Sequence, residues 1–124
     1  MIQLNYRDTK PIYEQIKDGL RRLVISNAIV PDEKLPSVRE MASSLAINPN
    51  TIQRAYRELE NEGYVYTVAG KGTFASPHET VTDGRMDELL HEFDDIVIEL
   101  LYMSVEPEKL TERMIRLKEG GAEK

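Results

Sequence analysis

Apolar positions between Leu35 and Ala75 follow two different periods, and the switch divides the stretch into helices and strands. Val38, Met41, Ala42 and Leu45 recur at i, i+3, i+4 and i+7, one face of an amphipathic helix, which leaves Arg39, Glu40 and Ser43 outward. Ser37, three residues ahead of Glu40, marks the start, because at this spacing each side chain satisfies an orphan N–H of the first turn. Pro36 holds the chain extended just before it. A second helix opens at Asn48, suited to N-capping, with Pro49 at the first helical position, where a missing N–H costs nothing. Its inward stripe is Ile52, Ala55, Tyr56 and Leu59, whereas Asn50, Gln53, Arg54 and Arg57 share the outward face.

Only Ala46, Ile47 and the cap separate these helices, so they cross steeply as a helix-turn-helix. Gly63 ends the second in a left-handed conformation. The period then changes: Tyr64 to Val68 is aromatic and β-branched, Ala69-Gly70-Lys71-Gly72 supplies a tight turn, and Thr73-Phe74-Ala75 reads as a return strand. Two helices and such a hairpin predict a winged helix-turn-helix. Tyr56 and Tyr64 are expected in its core.

The flanks extend the pattern. Ile2-Gln3-Leu4 alternates like a short edge strand. From Pro11 to Asn27, Ile12, Ile16, Leu20, Leu23 and Val24, with Tyr13 alongside, trace one side of a helix, and Ala28 to Lys34 reads as a turn. After a break at Ser76-Pro77-His78-Glu79, a long helix from about Val81 to Met103 carries Met86, Leu89, Leu90, Phe93, Ile96, Val97, Leu100 and Leu101, with Asp87, Glu88, Asp94, Asp95 and Glu99 opposite. Pro107 starts a shorter helix with Leu110, Met114, Ile115 and Leu117, stopped by Gly120-Gly121.

Two helices cannot enclose their own apolar stripes, so Leu89, Leu90, Phe93, Ile96, Val97, Leu100, Leu101, Leu110, Met114 and Leu117 are expected to join two copies of the chain in a helical bundle. The alternative is that the pair folds back on its own winged domain. The predicted class is therefore mostly α (α+β): a winged helix-turn-helix DNA-binding domain over residues 1–77 and a two-helix dimerisation segment over 78–124.

Charge complicates this picture and then supports it. A net charge of −6 over 124 residues is unusual for a DNA-binding protein. Yet residues 1–78 hold 10 Lys+Arg against 9 Asp+Glu, and residues 79–124 hold 6 against 13, so the acidity lies in the tail. Arg39, Arg54, Arg57 and Lys71 can then supply a local positive face. The absence of cysteine excludes disulfides, thiolate metal sites and cysteine nucleophiles. No apolar run approaches a membrane span and no signal-peptide pattern opens the chain, so a cytoplasmic location is expected. His78 and His91 lack close ligand spacing; His91 with Asp87, Glu88, Asp94 or Asp95 is the one metal reading, against a solvated acidic helix face as the default, and no cofactor or enzyme site is expected.

The segments PSVREMA, NPNTIQRAYRELENEGY and GKGTF, spread over roughly residues 10 to 76, resemble the DNA-binding domain of the GntR superfamily of bacterial transcription regulators, and the short tail resembles its YtrA-like branch. The resemblance implies a homodimeric regulator, a repressor of transporter genes, on a palindromic double-stranded operator. Larger members carry a ligand-binding C-terminal domain; here a small-molecule effector is left only a crevice between helices or subunits.

On this reading Ser37 and Asn48 cap the two helices at the DNA, and Asn50, Thr51 and the first-turn amides of the second helix suit phosphate. Gln53 and Arg54 suit adenine and guanine. Arg39 matches the arginine of the family's PSxR motif, which resembles a backbone or base contact. Gly70 and Gly72 let the wing approach closely, with Lys71 and Thr73 at the minor groove or phosphate. Many relatives carry an arginine where this chain has Pro49, so their operator preference does not transfer. Arg57 with Glu60 and Glu62 is equally readable as a solvated helix face. A different class of function, a protein adaptor docking through the acidic C-terminal helices, is compatible with the same fold.

Overall fold

A computed structural model describes residues 2–120. Gly121, half of the expected terminal stop, lies outside the described residues. Helix α1 (Ile12–Ile25) begins directly after Pro11 and buries Ile16 and Leu20 completely. Helix α2 (Val38–Leu45) carries the capping box in full: Ser37 Oγ accepts from the Glu40 amide at 3.0 Å, and Glu40 Oε1 accepts from the Ser37 amide at 2.8 Å. Helix α3 (Pro49–Glu62) starts behind Asn48, whose side chain accepts from the Asn50 amide at 2.8 Å, and ends at Gly63 with φ +90°.

Strands β1 (Val65–Val68) and β2 (Gly72–Ala75) pair antiparallel, from Val65 with Ala75 to Val68 with Gly72. Tyr66 and Phe74 stack across the hairpin with centroids 5.5 Å apart. The connection before α2, expected as a plain turn, also joins this sheet. Lys34 bridges Phe74, the Leu35 amide donates to the Thr73 carbonyl at 2.8 Å, and the Ala75 amide donates to the Glu33 carbonyl at 2.9 Å. The wing therefore gains a third backbone partner that no alternation of apolar residues announced.

Helices α1 and α2 both pack on α3, and the core they enclose with the wing includes Met41, Ile52, Leu59, Tyr56 and Tyr64. The Tyr56 hydroxyl donates to the Pro36 carbonyl at 2.6 Å, which gives the buried phenol its partner and ties α3 to the start of α2. The expected edge strand at Ile2-Gln3-Leu4 is not formed. Ile2 packs over Gly19 and Leu4 joins the core margin. The Asn5 backbone is held by the Gln15 side chain, which accepts from its amide at 2.8 Å and donates to its carbonyl at 2.9 Å. A side-chain amide replaces the neighbouring strand.

The chain divides into two compact units, Met1–Arg85 and Met86–Lys124. The 3-10 turn at His78–Thr80 and the residues to Arg85 belong to the first, because Thr80 and Thr82 bond back to the end of α3. Helix α4 (Asp83–Tyr102) and helix α5 (Pro107–Lys118) contain no buried residue. On α4, Leu90 and Phe93 are each about half exposed, as are Met114 and Leu117 on α5.

Candidate nucleic-acid interface

The reading surface is built from α3 outward. Because Ile52, Ala55, Tyr56 and Leu59 are buried, the opposite face must carry Asn50, Gln53, Arg54 and Arg57 into solvent, and all four are exposed. Thr51 is half-buried beside them. Arg39 is exposed on the first turn of α2. Lys71 is exposed at the tip of the wing, where Gly70 and Gly72 take φ +77° and +127° and the Lys71 amide closes the turn on the Val68 carbonyl at 2.9 Å. These left-handed conformations explain the two glycines. The Thr73 hydroxyl is 3.3 Å from that of Thr67, which donates to Glu60 at 3.1 Å, so it is engaged within the wing.

The first-turn amides of α3, expected to face phosphate, are already occupied. Asn50 N–H is taken by the Asn48 side chain, Thr51 N–H by the Asn48 carbonyl at 3.0 Å, and Pro49 has none. The residue that caps the helix also closes it to an anion at that end. The structure adds one exposed cation to those read from the sequence: the stem of Lys34 crosses the wing at Gly72, where an added Cβ would lie 2.7 Å from Lys34 Cε.

Arg54 is held rather than free. Its guanidinium lies 3.7 Å from the centroid of the Tyr13 ring, Nη2 donates to the Tyr13 hydroxyl at 3.1 Å, and Nε donates to Glu58 at 3.2 Å. Arg57 and Glu60 are both exposed, as on a solvated helix face. Glu62 turns toward α1, accepting from Lys17 and Arg21 at 2.9 Å each, and Glu58 accepts from Lys17 at 2.8 Å. Burial alone would lower the Lys17 ammonium, but hydrogen bonds to Glu58 and Glu62 more than offset it and raise it above its usual range. The Lys17 hydrogen bond, chiefly, holds the Glu58 carboxyl below the usual range. Tyr13 and Lys17 carried no signal in the sequence beyond their places beside the α1 stripe.

Among the described residues no group of three or more His, Cys, Asp or Glu is arranged to hold a metal, and no helix is long and apolar enough to cross a membrane. A helix-turn-helix with its polar face exposed, an arginine beside it and a glycine wing carrying lysine define a DNA-binding regulator of the winged type. The family described as bacterial regulatory proteins, gntR family, matches residues 12–75. The HTH-type transcriptional repressor YtrA of Bacillus subtilis (strain 168) is 41% identical over 114 residues, 90% of this chain and 88% of that protein. A transcriptional antiterminator from Listeria monocytogenes EGD-e superposes with a TM-score of 0.79 at 31% identity, covering 95% of this chain and 90% of the other. The DNA-binding domain of AraR, solved in complex with operator ORR3, superposes with a TM-score of 0.54 at 30% identity over 60% of this chain and 89% of that one. The chain belongs to the GntR family, in its YtrA-like branch.

Proposed function

We propose that this regulator works as a homodimeric repressor on a palindromic operator, with α3 of each copy in a major groove and each wing along the adjacent backbone. The observation that carries this is the outward face of α3. Asn50, Gln53, Arg54 and Arg57 project together, and Arg39 and Lys71 are exposed on α2 and the wing, as base and phosphate contacts require. Support for two copies comes from α4 and α5, whose Leu90, Phe93, Met114 and Leu117 leave apolar surface for a symmetric partner helix pair. The likeness to an AraR domain solved on an operator supports duplex DNA as the ligand. Action in the cytoplasm and control of transporter genes, including its own operon, complete the reading.

Fluorescence anisotropy with duplexes tiled across the region upstream of the protein's own gene tests it. One duplex is expected to bind tightly, losing about 10³-fold in affinity between about 50 and about 200 mM salt as condensed counterions are released. Arg39→Ala should weaken that binding while leaving helicity intact. Binding indifferent to salt, or no binding to any duplex at low salt, would contradict the proposal.

A further inference from the structure

The geometry points to Tyr13, on α1, as a positioning residue that fixes the Arg54 guanidinium to read one guanine. The inference rests on α3 being the helix that meets DNA. An arginine on an exposed helix face ordinarily samples many rotamers and must give up that freedom to make a bidentate contact. Arg54 is already restrained on two sides. Its Cζ lies over the Tyr13 ring, 3.7 Å from the centroid, and Glu58, one turn along α3, takes Nε at 3.2 Å.

The donors left over matter as much as those in use. Guanidinium has five N–H groups in a planar fork. Nε is committed to Glu58 and one Nη2 hydrogen to the Tyr13 hydroxyl, so both Nη1 hydrogens and the second Nη2 hydrogen have no partner among the described residues. The Nη1 donors are thus left for a ligand, and arginine donors pair with the O6 and N7 acceptors of guanine in the major groove. Tyr13 and Glu58 together therefore restrain a fork whose Nη1 donors remain in reserve. A purely structural tie between α1 and α3 would not require the guanidinium to keep donors in reserve, and the Arg54 side chain is 52% accessible.

The test selects duplexes from a randomised pool with the full-length protein and reads the preference at every base pair by sequencing, for wild type, Arg54→Ala, Tyr13→Leu, Tyr13→Phe and Glu58→Ala. Arg54→Ala should reduce the preference for guanine at one operator position about tenfold. Tyr13→Leu, which keeps apolar bulk and loses the ring face, should lose about fivefold at that same position and nowhere else. Tyr13→Phe, which keeps the ring, should retain most of the preference. Glu58→Ala should show the same single-position loss, and it decides the question if the Tyr13→Leu chain does not fold by circular dichroism. Uniform weakening across all sequences, or an unchanged guanine preference in Tyr13→Leu or Glu58→Ala, would overturn the inference while leaving DNA binding intact. A wild type that enriches no sequence would overturn both.

Discussion

The hydroxyl of Thr80 lies 2.8 Å from the carbonyls of both Gly63 and Pro77 and shares its proton between them, so the segment that leaves the wing is tied to the residue that ends α3. The Thr82 amide adds a second tie to the Glu62 carbonyl at 3.0 Å. Gly63 has φ +90°, and a Cβ there would lie 2.0 Å from the Thr80 carbonyl oxygen. Gly63→Ala should therefore destabilise the winged unit by about 2 kcal/mol or more, from the left-handed backbone and the clash together. Thr80→Ala, which removes only a hydrogen bond, should cost about 1 kcal/mol. Urea unfolding of the two variants checks the order, and a Gly63→Ala chain as stable as Thr80→Ala would contradict this account.

Acid should loosen the join between α1 and α3. The Glu62 side chain is 16% exposed; burial alone would raise its carboxyl, but hydrogen bonds from Lys17 and Arg21 more than offset that and hold it below its usual 4.5. Such a group stabilises the fold above its unfolded-state value, and the contribution is lost as pH falls through the lower folded-state value. Stability is then expected to decline as the pH drops below about 4.5, with Glu58 and Asp18, also lowered, adding to the slope. Glu62→Ala should cost about 2 kcal/mol at neutral pH by leaving two partly buried cations short of a partner, and it should flatten the acid decline. Thermal melts at neutral and acid pH read both effects; an unchanged acid slope in the variant would contradict the assignment.

On the proposed mode of binding, Lys71 at the tip of the wing is expected to meet phosphate rather than bases, since an ammonium is a point charge and the turn around it is glycine-built. Lys71→Ala should weaken binding to specific and random duplexes by a similar factor and reduce the salt slope by about one per chain. Titrations at several salt concentrations test this. A loss confined to one operator sequence would place Lys71 among the base contacts instead.

Phe93, 46% exposed on α4, lies in the apolar stripe proposed to join two copies. Phe93→Asp should shift the protein from dimer to monomer in sedimentation velocity and lower its affinity for a two-site duplex at least tenfold, because the second site no longer gains from the first. The melting of the winged unit should not change. A Phe93→Asp chain that still sediments as a dimer would move the contact elsewhere.

What the sequence made legible was local. The Ser37–Glu40 box, the Asn48-Pro49 start and the Gly63 stop are each set by neighbours within one helical turn, and the structure has all three. What it did not announce was long-range or stereochemically unusual. The contact of Arg54 with Tyr13 spans 41 residues, as does that of Glu62 with Arg21, and pairings at that distance leave no periodic trace. Lys34 joins the wing through its backbone, which any residue can do. Ala46 ends α2 in the left-handed region at φ +56°, where a glycine would have marked the turn and an alanine does not. The exposed face of α3 was readable because the buried one was, whereas the orientation of Arg54 on that face was not.

Hydroxyl-radical footprinting of the bound duplex tests the central claim most directly, since it shows where the chain meets each backbone. Two protected patches on one side of the duplex, related by a two-fold axis and centred about 10 base pairs apart, are predicted for two copies inserting α3 into successive major grooves. A single patch, or two without two-fold symmetry, would contradict the paired-helix account.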